Sequence, residues 1–130
     1  MKLIKGSNII LLTILLVITA GVLLYNYVFS IYEVIVVSEP EIIFADPTNV
    51  VKIYLEPINA MGQKVPLRKV DCHFSIIEGN HLITIESVDE KNGEIQLRSL
   101  GIPGKIGLTI KSQYSLFPIY YEVQILNKSA

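Results

Sequence analysis

Two periods divide the chain. From Gly6 to Tyr32 no charged residue occurs, and Ile9–Ile31 is almost wholly apolar. Beyond Tyr32 the period becomes two. Val51, Ile53 and Leu55 alternate with Lys52, Tyr54 and Glu56, and Val70, Cys72, Phe74 and Ile76 with Asp71, His73 and Ser75. Ile95 and Leu97 alternate with Glu94, Gln96 and Arg98, and Ile106, Leu108 and Ile110 with Lys105, Gly107, Thr109 and Lys111. Ile119, Tyr121, Val123 and Ile125 alternate with Tyr120, Glu122 and Gln124. Strict alternation turns one apolar face inward and one polar face to water, the mark of half-buried strands. Turn signals separate the runs: Asp46-Pro47, Met61-Gly62, Gly79-Asn80, Asn92-Gly93, Pro103-Gly104 and Phe117-Pro118. The pattern predicts strands at 33–37, 50–56, 70–77, 82–87, 94–99, 105–112 and 119–126, with a short piece at 41–44.

The first apolar run predicts a different element. At 1.5 Å per residue, the segment Ile9–Ile31 reaches about 35 Å as a helix, enough to cross a hydrocarbon core of about 30 Å. Ile9, Leu16, Leu23 and Ile31 mark the length of the expected anchor. Lys2 and Lys5 precede it and Glu33 follows it, so the positive-inside bias puts the N-terminus in the cytoplasm and residues 32–130 outside. Tyr25, Tyr27 and Tyr32 fall near the outer end, where aromatic rings favour the interface. A cleaved signal peptide is the plainer alternative. Its apolar region runs to about 7–15 residues and ends in a small-x-small site. Val28-Phe29-Ser30 is the best such site here, and it is poor. A third reading starts from Lys5-Gly6-Ser7 before the long apolar helix, which resembles the leader of type IV pilin-like proteins cut after such a glycine. There the helix would be a filament core, with Gly6 and Ser7 flanking the processing point. Bacterial members usually carry Glu five residues after the cut, where this chain has Leu11.

Seven strands over about 95 residues match the size of an immunoglobulin-like domain. The expected fold is therefore an all-β immunoglobulin-like sandwich of about seven antiparallel strands, preceded by one transmembrane α-helix. The expected organisation is a short cytoplasmic N-terminus (1–8), the transmembrane helix (9–31), a membrane-proximal connection or first strand (32–38), the sandwich (39–126) and a tail (127–130). Several motifs sharpen this reading. Ala45-Asp46 opens the domain, followed by Val51-x-Ile53-x-Leu55, Asn59-x-x-Gly62-x-x-Val65, Val70-x-Cys72-x-Phe74 and Gly79. Then come Asn92-Gly93-Glu94-Ile95-x-Leu97, Ser99 and Pro103-Gly104-x-Ile106-x-Leu108-x-Ile110. Over residues 39–126 the chain resembles the bacterial immunoglobulin-like repeats of invasin and intimin-type surface proteins. Two departures stand out: Asn59 where the family often has Asp, and an Asp89-to-Gly93 gap one residue longer than usual. The resemblance implies a spacer or adhesive module rather than an enzyme.

Composition agrees with this division. Only 18% of the 130 residues are charged, and mean hydropathy is +0.48 because the apolar run raises the average. Beyond residue 31, nine Lys/Arg stand against twelve Asp/Glu with the signs interspersed, so no basic face suited to nucleic acid is expected. Cys72 is the single cysteine, which excludes an intrachain disulfide.

Candidate chemistry is sparse. Cys72 and His73 are adjacent on a strand and therefore point to opposite faces, so they cannot chelate one ion together, and His81 lies in a turn. Asp89-Glu90-Lys91-Asn92-Gly93 offers oxygen ligands but lacks the alternating spacing and closing Glu of a calcium loop. A hairpin turn with Gly93 at positive φ accounts for it. No catalytic residue, metal site or cofactor is expected. Asn127-Lys128-Ser129 is a glycosylation sequon close to the C-terminal residue of the sequence. Tyr54, Tyr114, Phe117 and Tyr120 fall on outward or loop positions and are the candidate interaction residues, since Tyr offers large area with a polar tip. The sequence thus points to a membrane-anchored, extracytoplasmic structural or interaction subunit of a cell-envelope complex. Its expected partners are membrane lipid, other envelope proteins or copies of itself.

Overall fold

The computed structural model describes residues 2–127. A single helix, α1 (Lys2–Phe29), is followed by eight strands: β1 (Glu33–Glu39), β2 (Ile43–Phe44), β3 (Val50–Ile58), β4 (Cys72–Glu78), β5 (Ile83–Asp89), β6 (Glu94–Ser99), β7 (Gly104–Ser112) and β8 (Ile119–Leu126). They form two four-stranded sheets, ordered β1-β3-β6-β5 and β2-β8-β7-β4. The order is consistent with a constant-type immunoglobulin sandwich whose first strand is divided between the two sheets.

The alternating positions close on one core. Val51, Ile53, Leu55, Ile95 and Leu97 from the first sheet are buried with Phe74, Ile106, Leu108, Ile110, Val123 and Ile125 from the second. Ser38 and Tyr121 tie the sheets at one side, their hydroxyls 2.8 Å apart.

The strand pattern departs from expectation in three places. The 41–44 piece is a genuine strand, β2, so there are eight strands rather than seven. It pairs parallel with β8 (Ile43 opposite Ile125, Phe44 opposite Leu126), so the sandwich is not wholly antiparallel. Pro40 explains the break: lacking an N–H it cannot extend the ladder of β1, and the chain crosses to the other sheet, where Ile43 is buried in the core. The expected strand at 70–77 begins two residues later, because Val70 and Asp71 lie outside the ladder that opens with Cys72 opposite Ser112. The expected strand at 82–87 is preceded by a single 3₁₀ turn, Asn80–Leu82, entered from Gly79 at φ 75°.

The helix also differs from the expected span. It ends at Phe29, and Ile31, placed in the anchor by its hydropathy, lies past the helix and packs against the sandwich core. The reason is the short connection: the amide of Tyr32 already donates to the carbonyl of Ile58 in β3 (2.8 Å), so residue 31 belongs to the sheet end. Every residue from Lys5 to Tyr27 is exposed. The segment Lys5–Phe29 is long and apolar enough to cross a membrane, and equally to serve as a signal sequence.

Candidate interaction surfaces

Among the described residues, a well-bonded polar site is the junction between α1 and the sandwich. A helix leaves its last carbonyls without intrahelical partners, and α1 has no basic residue in its last turn. The loop after β3 supplies what is missing. Asn59 donates its side-chain amide to the Val28 carbonyl (3.2 Å), and Arg68 Nη1 donates to the Phe29 carbonyl (3.0 Å). A guanidinium at a helix C-terminus also meets the negative end of the helix dipole. Asn59 is only 1% exposed, and its Oδ1 accepts from the backbone amides of Met61 and Gln63, both at 3.0 Å. One side chain thereby shapes the turn and holds the helix. An aspartate could do the first and not the second, which gives a physical reason for the amide where the family resemblance leads one to expect an acid.

The four aromatic candidates do not share a face. Tyr54 lies on the outer face of β3 in the first sheet, its hydroxyl donating to Glu39 (2.9 Å) with the Lys52 ammonium 5.4 Å from its ring centre. That bond to Glu39, with burial second, raises the Tyr54 hydroxyl above its ordinary pKa. Tyr120 lies on the outer face of β8 in the other sheet, beside Glu78 and Glu122. Desolvation, followed by the Glu122 carboxylate, raises its pKa as well. Tyr114 is half-buried against the core and meets Arg68 through its hydroxyl (3.5 Å). Phe117 is exposed on the β7–β8 loop. The last strand, β8, has β7 along one side, while β2 covers only Ile125 and Leu126 on the other.

The remaining candidates are placed by the turns. Cys72 is buried and His73 exposed, as alternation requires, with His73 Nδ1 2.7 Å from a Glu90 carboxylate oxygen. Burial first, then Glu90 and Asp71, pushes the Cys72 thiol up to about 12. Asp89 is engaged by its own turn, accepting from the backbone and side-chain amides of Asn92 (3.2 and 2.7 Å). Gly93 follows at φ 70° with its Cα against the Val70 carbonyl, where no side chain fits. Among the described residues, no three His, Cys, Asp or Glu side chains are grouped to hold a metal. Gly6 and Ser7 lie within the first turns of α1. Asn127 follows β8, and the rest of its sequon lies outside the described residues.

Sequence reasoning missed Asn59 and Arg68 as site residues. Arg68 carries no local signal, because its acceptor is 39 positions away. The departure at Asn59 was the one visible clue.

No family model matches the chain, and no curated protein matches it closely enough to count as a relative. Solved structures do match. A glycosyl hydrolase family 2 member from Bacteroides cellulosilyticus aligns over 77% of this chain and 14% of its own at 23% identity, TM-score 0.55. A β-glucuronidase of glycoside hydrolase family 2 aligns over 75% of this chain and 12% of its own, at 19% identity and TM-score 0.56. The D00-D0 domain of intimin aligns over 71% of this chain and 46% of its own, at 15% identity and TM-score 0.49. The chain spans a small part of each hydrolase, and the likeness to them is one of fold: a β-sandwich.

Proposed function

We propose that this chain is a membrane-anchored immunoglobulin-like module, held outside the cytoplasmic membrane as a structural or interaction subunit of a cell-envelope complex. The observation that carries the reading is the junction. An apolar helix exposed on every side is tied through its last two carbonyls to a buried asparagine and an arginine of the sandwich. Removal of that helix after export would leave the Asn59 amide without its acceptor, and an unpaired buried donor is costly. Retained, the helix confines the sandwich to the membrane surface and lets weak contacts suffice, because the partner search is then in two dimensions. Partners would be met through the outward faces carrying Tyr54 and Tyr120.

The test is gentle extraction of the native membrane, sizing of the extracted particle, and mass spectrometry of its chains and of the mature N-terminus. We expect an integral membrane chain that keeps the whole apolar segment and co-migrates with different chains. A soluble chain beginning beyond Phe29 would make the segment a signal peptide and overturn the reading. A polymer of one chain beginning at Ser7 would replace it with the pilin-like one.

A further inference from the structure

The junction fixes which end of the sandwich lies next to α1, and that end carries apolar side chains for which the sandwich has no use. Leu67, at the tip of the β3–β4 loop, is fully exposed and sits at φ 59°, a left-handed backbone conformation that large L-residues avoid. The next loop at the same end, joining β7 to β8, presents Leu116 at 91% exposure and Phe117 at 75%. The two loops are neighbours, since Arg68 of the first reaches Tyr114 of the second. Met61, in the turn that Asn59 shapes, is a fourth exposed apolar residue at this end.

Their depth follows from the helix. Pro66, Leu67 and Arg68 face Tyr25, Asn26 and Phe29 across a recess of ≈ 460 Å³, so the loop tip lies alongside the last turns of α1 rather than beyond its end. From Ile9, a helix rising 1.5 Å per residue crosses a core of about 30 Å close to Phe29. The tip is therefore level with the boundary between acyl chains and headgroups. Lys64, Arg68 and Lys69 flank it on the same loop; acids are near them too, Glu56 and Glu94 lining one recess with all three, Asp89 within reach of the Lys69 charge, and Asp71 bonded by Gln113 (3.4 Å). Cations beside an apolar tip suit lipid phosphates above acyl chains.

Resting on the membrane-anchored reading above, we propose that the helix-bearing end of the sandwich is a second membrane contact. Leu67 and the Leu116–Phe117 pair are seated in the interface of the leaflet from which α1 emerges, and the domain stands end-on against the bilayer instead of being held off on a flexible stem. The occupant of this surface is lipid.

The chain contains no tryptophan, so single substitutions report position cleanly. Full-length Leu67→Trp, Phe117→Trp, Leu12→Trp and Ile102→Trp would each be reconstituted into phosphatidylcholine/phosphatidylglycerol vesicles, with and without acyl-chain bromine as a quencher. Leu12 tests the span itself, and Ile102 lies on the β6–β7 connection at the opposite end of the sandwich. We expect blue-shifted emission and roughly two-fold quenching at 67 and 117, stronger quenching at 12, and none at 102. Quenching at 12 without quenching at 67 and 117 overturns this proposal and leaves the anchor standing. A blue shift at 67 without bromine quenching also overturns it, because protein would then cover the tip. Absence of quenching at 12 sinks the membrane reading and this proposal with it. Should a tryptophan variant fail to fold, Leu67→Cys labelled with a polarity-sensitive probe replaces it, Cys72 being buried.

Discussion

Leu16 and Leu97 are the same residue with opposite surroundings. Leu16, midway along α1, is 70% exposed, while Leu97, on the central strand β6, is completely buried between two sheets. The helix and the sandwich are both built mainly from Ile, Leu and Val, yet only the sandwich brings its own partner for them. Burial of apolar area, the main favourable contribution to folding, is completed inside the sandwich and left wholly undone along α1. Folding of the sandwich and the environment of the helix are therefore separate problems, joined at Asn59, Arg68 and the two residues of chain between Phe29 and Tyr32.

The sharpest way to break that comparison is to make the same cut in both regions. Leu97→Ala removes a side chain from a core that no disulfide supports, and large-to-small changes of this kind cost about 2–5 kcal/mol. Domains of this size are stable by only about 5–15 kcal/mol. Leu16→Ala should leave unfolding of the sandwich within about 0.5 kcal/mol of the parent. Urea unfolding of the detergent-solubilised chain, followed by the β-sheet circular dichroism signal, measures both. A comparable loss at Leu16 would mean that the helix packs on the sandwich in a way the junction does not describe.

The junction comes next in size. Asn59→Ala takes the acceptor from the backbone amides of Met61 and Gln63, whose residues are exposed enough for water to replace it, so each lost bond costs about 0.5–1.5 kcal/mol. Asn59→Asp is more discriminating. It keeps both acceptor bonds but loses the donor to Val28 and sets a carboxylate against the negative end of the helix dipole. The expected outcome is a sandwich destabilised less than by Asn59→Ala, with faster amide exchange confined to residues 26–32. If exchange there is unchanged, the two regions are held together by something other than these bonds.

How much of this could be read in the sequence follows from where each contact is encoded. Alternation in Val51–Leu55 or Ile106–Ile110 is local, so the core strands and their inward faces were legible. Cys72 and His73 separated to opposite faces for the same reason. The parallel pairing of β2 was not legible, because two residues carry no period and the crossing at Pro40 has meaning only once a second sheet exists. The end of α1 was misjudged by two residues: hydropathy cannot tell an isoleucine facing lipid from one facing a sandwich. The outward positions of Tyr54 and Tyr120 follow from the alternation within each strand, and nothing in a linear pattern says that the two belong to opposite sheets. Asn59 and Arg68 act on carbonyls 31 and 39 positions away, beyond any local signal.

Within the sandwich, dryness can be tested by titration. Cys72 is buried, and its thiol is pushed from an ordinary value of 9.0 up to about 12, with burial the leading cause. A folded value above the unfolded one means that the folded state holds the proton more tightly. The contribution to stability is then fully present below pH 9 and is lost as pH rises from 9 towards 12. Lysines and tyrosines titrate in the same range, so the quantity to measure is the difference between the parent and Cys72→Val. The parent should lose stability more steeply across that window, and thiol alkylation at pH 8 should proceed only at the rate of unfolding. Fast alkylation of the folded chain would mean that water reaches the edge of the core at β4.

The smallest effect is expected on the outer face of the sandwich. Arg98 grips Glu86 through two nitrogens and also donates to the Pro47 carbonyl (3.1 Å). The hydrogen bond from Arg98, more than its charge alone, holds the Glu86 carboxyl below its ordinary value of 4.5. A depressed folded value stabilises above the unfolded pKa and ceases to do so as pH falls through the folded one, so any contribution appears at neutral pH and fades in acid. Both side chains are exposed, and exposed pairs gain little against solvent and salt. Glu86→Gln should therefore shift the thermal midpoint by an amount near the error of the measurement, detectable at low ionic strength and neutral pH and absent in 1 M salt. A shift that survives high salt would assign the effect to geometry, with Glu86 steering Arg98 onto the Pro47 carbonyl and so fixing the turn before β3. Arg98→Lys separates the two cases: it keeps the charge but loses the fork that reaches Glu86 and Pro47 together.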